Sequence, residues 1–262
     1  MSPASLSGRA AMAVCLLLAL GCASSLTRTD TRSLVVHSIG ADYANVHLVR
    51  GPAGVFLIDA GTAEAAPALA ARIAELGIDL ASIGALILTH GHADHAGGAR
   101  YFRERFGIPI VAGAGDRPML AAGANDPLCP TDLIGRINLA RAQRATYPPT
   151  IADTEIAKPT ALSSLAGTAW ADGRIVPLPA HTPGSMAVVV GEVAFVGDLL
   201  RGAVLGTGAR EHFYQCEPEK NWRLLEAFVE GEARAVRTFF TGHFGPVSRE
   251  AVLALIADHR TR

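Results

Sequence analysis

The sequence predicts a layered α/β domain, and three features of the chain favour this fold class. Short β-rich runs first meander and then alternate with helical stretches, an order typical of packed layers of strands and helices. Half of the 262 residues are apolar and 18% are charged, so the chain can bury a large core. The 27 glycines and 15 prolines are scattered without a repeating period, which excludes collagen-like and low-complexity chains.

The first half of the chain gives five runs typical of strands or helices before the first histidine-rich segment, and a further helical run follows that segment. β-branched and apolar runs bounded by turn residues predict the strands Leu34–Ile39, Val46–Val49, Val55–Ile58 and Ala85–Leu88. Between the last two strands, Ala63–Leu76 is rich in Ala, Glu and Leu and is followed by Gly77, which predicts a capped helix. Gly98–Phe106 predicts a further helix.

The second half opens with an irregular stretch and then returns to strands and helices. Six prolines interrupt residues 115–170, for which we predict loops rather than long regular elements. The remaining predicted strands are Ile108–Ala112, Ile175–Leu178, Ala187–Val190, Val193–Val196 and Thr238–Thr241, and the remaining predicted helices are Glu219–Glu230 and Ser248–His259.

The N-terminus has the pattern of an export signal. Arg9 precedes the apolar run Ala10–Leu20, whose eleven residues are too few to span a bilayer as a helix. Residues 19–22 (ALGC) resemble the lipobox of bacterial lipoproteins, which implies cleavage after residue 21 and a lipidated Cys22. We therefore expect a signal peptide over residues 1–21, a polar tether over 22–32 and one domain over 33–262, anchored in the cell envelope. A plain cleaved signal and an uncleaved anchor remain alternatives.

Charge and cysteine content limit the possible partners. With 23 Lys and Arg against 24 Asp and Glu, and no basic stripe, the chain has no electrostatic footprint for nucleic acid. Four cysteines are too few for a disulfide scaffold. In an oxidising compartment Cys129 and Cys216 could pair, and the sequence leaves that pairing open.

Metal-ligating side chains are concentrated directly after the strand that ends at Leu88. Residues 89–95 read THGHADH, which places three imidazoles and a carboxylate within six residues. Imidazole and carboxylate donors suit zinc, iron or manganese. His90 and His92 can share one side of an extended backbone, whereas Asp94 and His95 turn away at the start of a helix. The spacing therefore predicts two adjacent ions rather than one.

This segment resembles the H-x-H-x-D-H signature of the metallo-β-lactamase-fold superfamily, and further motifs follow in that family's order. They are residues 57–61 (LIDAG), 179–185 (PAHTPGS), 195–198 (FVGD) and 241–246 (TGHFGP). The resemblance covers about residues 35–256. It implies an αββα sandwich, a single domain of four layers, with the metal site at the edge between its two sheets.

The resemblance also implies a ligand set for two divalent ions, which we expect to be zinc, with iron or manganese as alternatives. His90, His92 and His181 would bind the first ion. Asp94, His95 and His243 would bind the second, and Asp198 would bridge both.

A metal-bound hydroxide at such a centre attacks an electrophilic carbonyl or phosphorus. Asp94 is the candidate catalytic residue because it could accept a hydrogen bond from the bridging hydroxide. Antibiotic-hydrolysing relatives generally have cysteine or serine in place of Asp198, so we expect a hydrolase acting on a small-molecule ester, thioester or lactone. A mononuclear iron enzyme similar to sulfur dioxygenases and a non-catalytic metal-binding envelope protein are the alternatives.

Other residues receive weaker functional interpretations. Asp59 is expected to orient a ligand imidazole and not to bind metal itself. His212 is placed where it could line the pocket wall, and residues 115–170 and 199–217 could determine specificity. The candidate apolar contacts there are Trp170, Phe213 and Tyr214.

Overall fold

The computed structural model describes residues 25–52, 54–166, 170 and 173–261. Residues 1–21, which were predicted to be a signal peptide, and Cys22 lie outside this part of the chain. Its strands are β1 (Leu26–Asp30), β2 (Val35–Ala41), β3 (Ala44–Gly51), β4 (Gly54–Ile58), β5 (Ile83–Ile87), β6 (Ile110–Gly113), β7 (Thr154–Ile156), β8 (Thr160–Ala161), β9 (Gly173–Pro177), β10 (Met186–Val190), β11 (Val193–Gly197), β12 (Arg201–Gly202), β13 (Ala209–Arg210), β14 (Thr238–Thr241) and β15 (Val247–Ser248).

The described helices flank these strands along the chain. They are α1 (Ala66–Glu75), α2 (Ala93–Ala96), α3 (Ala99–Phe106), α4 (Arg117–Ala122), α5 (Leu133–Gln143), α6 (Ser163–Ala166), α7 (Pro218–Glu230) and α8 (Arg249–Arg260). Several begin or end at residues that suit those positions. Pro218 occupies the first turn of α7, Ser248 accepts a hydrogen bond from the N–H of Ala251 at the start of α8, and α3 ends at the left-handed Gly107.

Two large sheets form the two inner layers. The first contains β1 to β7 in chain order, antiparallel up to β4 and parallel from β4 onward. The second has the order β15-β14-β11-β10-β9-β8, in which β11 and β14 are parallel and the other pairs antiparallel. A separate two-stranded ribbon joins β12 to β13.

Side-chain alternation along the strands builds three apolar layers. In β4, Phe56 and Ile58 pack between the two sheets, whereas Leu57 packs in the cluster that also contains Ile73 of α1 and Phe102 of α3. A third cluster packs the second sheet against α7 and α8. Helices therefore cover the outer face of each sheet, and the predicted αββα sandwich is confirmed as a single domain.

Residues 26–30, predicted to be part of the polar tether, form a strand instead. Leu26–Asp30 pairs along its whole length with β2 as an edge strand. An edge strand needs no buried face, and most side chains of β1 are exposed, so hydropathy gives no signal for it. Three residues therefore separate Cys22 from β1.

The region predicted to be irregular, residues 115–170, contains several regular elements. The longest is α5, which begins after Asp132, whose side chain accepts a hydrogen bond from the N–H of Gly135. Leu133 and Ile137 on this helix are both largely exposed, so the helix lacks the apolar periodicity that would have predicted it. Within the described residues, no helix has the length and apolar character needed to cross a membrane.

Candidate metal centre

The histidine-rich segment leaves the first sheet at the end of β5 and turns into α2. His90 follows the strand in irregular backbone, and His92 precedes the first residue of α2 in extended conformation. Asp94 and His95 lie within the short helix, and their ligand atoms lie close to that of His243. The change from strand to helix therefore splits one motif into two pairs of donors, as the sequence spacing predicts.

Loops of the second sheet bring the remaining donors to these pairs. Ligand atoms of His90, His92 and His181 lie within 4.8 Å of one another, and so do those of Asp94, His95 and His243. His181 lies in the loop between β9 and β10, and His243 follows β14. The structure thus brings six of the seven predicted donors together in the two groups that the sequence predicts.

Asp198 lies between the two groups at the end of β11. Its Oδ2 is 3.6 Å from Nε2 of His90, 3.4 Å from that of His95 and 3.3 Å from that of His243. It is also 3.6 Å from Nε2 of His181. A single carboxylate oxygen thus lies close to imidazoles of both groups, which is the position a bridging ligand requires.

The unpartnered atoms of the cluster fit a metal centre. Nε2 of His90 and Oδ1 of Asp198 are buried and make no hydrogen bond within the described structure. Leaving such atoms unpaired in the interior is costly, whereas metal ions would satisfy them. Nδ1 of His92 and Nε2 of His181 are only 3.0 Å apart, a separation typical of two donors that share one ion. The donor set of imidazoles and carboxylates suits zinc, iron or manganese.

Access to the cluster differs among the donors. The side chain of Asp94 is 15% exposed, and the side chains of His95 and Asp198 are 0% and 2% exposed. Asp94 therefore lies on the open side of the cluster, where water or a substrate would enter. Gly242 packs directly against two of the buried donors, since a Cβ there would collide with Asp198 and His95.

Burial and charge move the pKa values of the donors in opposite directions. Burial lowers the pKa of His90 and of His181 well below the usual value, so both imidazoles are neutral at pH 7. Burial also opposes protonation of His243, but Asp198 and Asp94 outweigh it and raise the pKa of His243 to about 10. His95 behaves in the same way, its pKa being raised well above the usual value by three carboxylates despite burial.

The carboxylates between these imidazoles stay ionised. Burial alone would raise the pKa of Asp198, but the nearby rings of His212 and His243 hold it well below the usual value. The pKa of Asp94 is likewise lowered, since His95 and His243 outweigh the effect of burial. The centre therefore offers two anionic carboxylates to positively charged ions.

Comparison with known proteins agrees with this geometry. The family model of the metallo-beta-lactamase superfamily matches residues 39–243, which is more than half of the chain and includes all seven donors. The chain belongs to the metallo-beta-lactamase superfamily. A probable metallo-hydrolase, YqjP of Bacillus subtilis, is 52% identical over 78 residues, which are 29% of this chain and about a quarter (24%) of that protein.

Solved structures of the metallo-beta-lactamase superfamily share the fold at low identity. BJP-1, a subclass B3 metallo-beta-lactamase of Bradyrhizobium japonicum, superimposes with a TM-score of 0.63 at 17% identity, over 92% of this chain and 95% of that one. The family protein TTHA1429 of Thermus thermophilus has a TM-score of 0.58 at 22% identity, over 90% and 79%. At these identities the likeness shows the fold alone. Membership of the superfamily supports a metal-dependent hydrolase.

Three carboxylates outside the ligand set contact the ligand histidines or the loops that carry them. Asp59 was expected to orient a ligand imidazole, and its Oδ2 lies 2.9 Å from Nδ1 of His95. Asp126, which the sequence analysis missed, contacts Nε2 of His92 through its Oδ1 at 2.7 Å. Hydrogen bonds of this kind hold a ring with its other nitrogen directed at the metal.

Asp116 is the third carboxylate and was also missed. It accepts hydrogen bonds from the N–H of Gly91, at 2.8 Å, and from the N–H of Gly184, at 2.7 Å. The hydroxyl of Thr182 donates a third, at 2.8 Å. Asp116 thereby ties the loop that carries His90 to the loop that carries His181. Only the tertiary structure brings these loops together. Asp116 lies in a segment predicted to be irregular, and no local sequence pattern indicates its role there.

The two segments proposed to determine specificity meet beside the centre. The disulfide Cys129–Cys216 joins them, and the pairing left open by the sequence is therefore present. Backbone hydrogen bonds between Cys129 and Gln215, and between Thr131 and Phe213, reinforce the connection. The prediction that Trp170 is an apolar contact for the substrate is wrong. Trp170 is buried against Phe56 in the core between the sheets and does not line the site.

Proposed function

We propose that the protein is a binuclear metal-dependent hydrolase that acts on an ester, thioester or lactone carbonyl. The observation that carries the proposal is the pair of donor groups on either side of Asp198, a set that could hold two adjacent ions. When bound, two divalent ions make hydroxide available at neutral pH and stabilise the negative charge that develops on the attacked group. Zinc is our first expectation, with iron or manganese as alternatives.

The chain's own residues position this chemistry. His90, His92 and His181 would hold one ion, Asp94, His95 and His243 the other, and Asp198 both. Asp94 is the most exposed of these donors, and we propose that it accepts a hydrogen bond from the attacking water and so orients it toward the substrate carbonyl. Phe213, whose ring centroid is 6.4 Å from that of His243, would form an apolar wall for the substrate.

Initial rates on a panel of substrates test this proposal. The metal-loaded protein and its Asp94→Ala variant would be compared on a lactone, a thioester, an aryl ester, a phosphodiester and a β-lactam. We expect turnover of a carboxylic ester, thioester or lactone that falls by at least about a hundredfold in Asp94→Ala. Asp30→Ala, which removes an exposed carboxylate on β1, is the matched control and should keep the wild-type rate.

Other results on the same panel would contradict the proposal. Turnover of the β-lactam alone, or of the phosphodiester alone, would contradict the proposed ester, thioester or lactone substrate. Metal-loaded protein that turns over nothing on this panel would favour the alternatives, a mononuclear iron enzyme similar to sulfur dioxygenases or a non-catalytic metal-binding envelope protein. An equal rate in Asp94→Ala would remove Asp94 from the reaction.

We propose further that the protein is exported and anchored to the cell envelope through a lipid on Cys22. The pairing of Cys129 with Cys216 supports export, since disulfides persist in oxidising compartments. Labelling of growing cells with a fatty acid, followed by fractionation, tests the anchor. We expect label on the wild-type protein in the membrane fraction and none on Cys22→Ser. Equal labelling of the two would exclude Cys22 as the lipidated residue.

A further inference from the structure

His212 lies inside the donor cluster although it belongs to neither of the two predicted ligand groups. Its side chain is 3% exposed, and its Nε2 lies 3.1 Å from Oδ2 of Asp198. This is the shortest distance from an imidazole to Asp198 among the described residues. Ligand atoms of His181, Asp198 and His212 lie within 4.8 Å of one another. His212 is therefore close enough to His181 and Asp198 to bind the same metal ion as these two predicted ligands.

The nitrogen of His212 that faces the cluster has no hydrogen-bond partner. Its Nε2 is buried and makes no hydrogen bond of acceptable geometry within the described structure, despite its short distance to Asp198. A buried nitrogen without a hydrogen-bond partner is energetically costly and rare in folded proteins. Nε2 of His90, a predicted ligand, is unpartnered in the same way. A metal ion at the centre would satisfy both atoms.

His181 and His212 also share one backbone acceptor. Nδ1 of His181 is 3.0 Å from the carbonyl oxygen of Tyr214, and Nδ1 of His212 is 3.2 Å from that same oxygen. A carbonyl oxygen has two lone pairs and can accept both N–H groups. Donation from Nδ1 leaves the lone pair of each ring on Nε2, which faces Asp198. His212 is thus oriented by the same contact that orients a predicted ligand.

One contact would suit the other tautomer of His212. The backbone N–H of Tyr214 lies 3.3 Å from Nδ1 of His212 and could donate to it. In that tautomer Nε2 would carry the proton and donate to Asp198, and His212 would position Asp198 without binding metal. The carbonyl contact is the shorter of the two, and it leaves Nε2 free as a donor to metal.

We propose that His212 is a further metal ligand, which binds through Nε2 the ion shared by His181 and Asp198. That ion would then have five protein donors, one more than the four of a structural zinc site. The inference depends on the metal centre of the proposed function and not on the hydrolytic reaction. The experiment that tests it therefore identifies the side chains bound to the metal and does not measure turnover.

Proton NMR of the cobalt-loaded full-length protein in water tests the assignment. Each imidazole bound to paramagnetic Co²⁺ with its other nitrogen protonated gives one strongly shifted, solvent-exchangeable N–H signal. We expect six such signals from wild type, five from the predicted ligand histidines and one from His212. His212→Gln should show five, with at least about a tenfold loss of affinity for one ion. His37→Gln, which changes a half-buried histidine of β2 outside the cluster, should show six.

The wild-type count decides the proposal even if His212→Gln fails to fold. Five shifted signals in the wild type would show that His212 is not a ligand. The same number of signals in wild type and in a folded His212→Gln would also overturn the assignment. Failure to bind cobalt at all would contradict the metal centre itself. A protein that shows six signals but hydrolyses nothing would retain this inference while contradicting the proposed reaction.

Discussion

Asp59 and His95 are 36 residues apart in the chain, and a 2.9 Å contact between Oδ2 and Nδ1 joins them beneath the metal centre. Asp59 is almost completely buried and has a left-handed backbone with φ of 63°. Its other oxygen accepts the N–H of Thr89 at 2.7 Å. The carboxylate therefore fixes both the strand end before the histidine motif and the last histidine of that motif.

We expect Asp59→Asn to weaken metal binding. A neutral amide orients the His95 ring less firmly and lowers its basicity, and the loss of such partners typically reduces metal affinity by about 10- to 100-fold. Titration of zinc against a chelating dye measures the change. Asp79→Asn, which alters a carboxylate at a surface turn, is the control and should bind as wild type does. Wild-type affinity in Asp59→Asn would contradict an orienting role for this residue.

We expect Asp116→Ala to destabilise the fold. The substitution leaves the N–H groups of Gly91 and Gly184 buried without an acceptor, which should lower the free energy of unfolding by about 3 kcal/mol. Urea unfolding followed by circular dichroism measures this value. Asp116→Asn keeps one acceptor oxygen and should lose less. If the alanine variant is as stable as wild type, Asp116 does not connect the two loops energetically.

The parts of the site that the sequence predicts are those encoded by local pattern. His90, His92, Asp94 and His95 are dense within one segment, and the change from strand to helix there separates them into two pairs. His181, Asp198 and His243 each follow an apolar run, so their place at the ends of strands could be inferred. The strand meander and the outer helices were likewise predictable, from the periodicity of apolar residues and from the residue composition of each segment.

Most of the features that the sequence did not show depend on contacts between distant segments. Asp116 and Asp126 lie in a stretch interrupted by prolines, and their partners are backbone and side-chain groups of other loops. His212 shares the Tyr214 carbonyl with a ring 31 residues earlier in the chain, a relation that no local pattern shows. Strand β1 was missed because an exposed edge strand needs no apolar face.

Reduction of the Cys129–Cys216 disulfide should lower stability and weaken metal binding together. The bond closes a loop of 87 residues, for which chain entropy gives a stabilisation of up to about 4–5 kcal/mol. It also joins the segment that carries Asp126 to the segment that carries His212. Urea unfolding and zinc titration of Cys129→Ser/Cys216→Ser measure the two effects.

Treatment of the wild type with a reductant should reproduce the effects of the double variant, and the variant itself should not respond to reductant. A double variant that loses stability but binds zinc as wild type does would show that the disulfide stabilises the fold without positioning the centre.

Metal binding should release about two protons per molecule from the histidine ligands at pH 7. The metal-free protein has His95 and His243 protonated at this pH, because neighbouring carboxylates raise the pKa of His95 well above the usual value and that of His243 to about 10. Both rings must lose a proton to bind an ion. His90 and His181 release none, since burial lowers their pKa and they are already neutral.

The sign of the pH dependence follows from these shifts. At a pH well below the pKa of both rings, each displaced proton lowers the apparent affinity about tenfold per unit fall in pH. Two protons therefore make zinc binding about a hundredfold weaker at pH 7 than at pH 8. Calorimetric titration in buffers of different ionisation enthalpy gives the number of protons directly. His243→Ala should release about one proton fewer. A binding enthalpy independent of the buffer would mean that both rings are neutral before the metal binds.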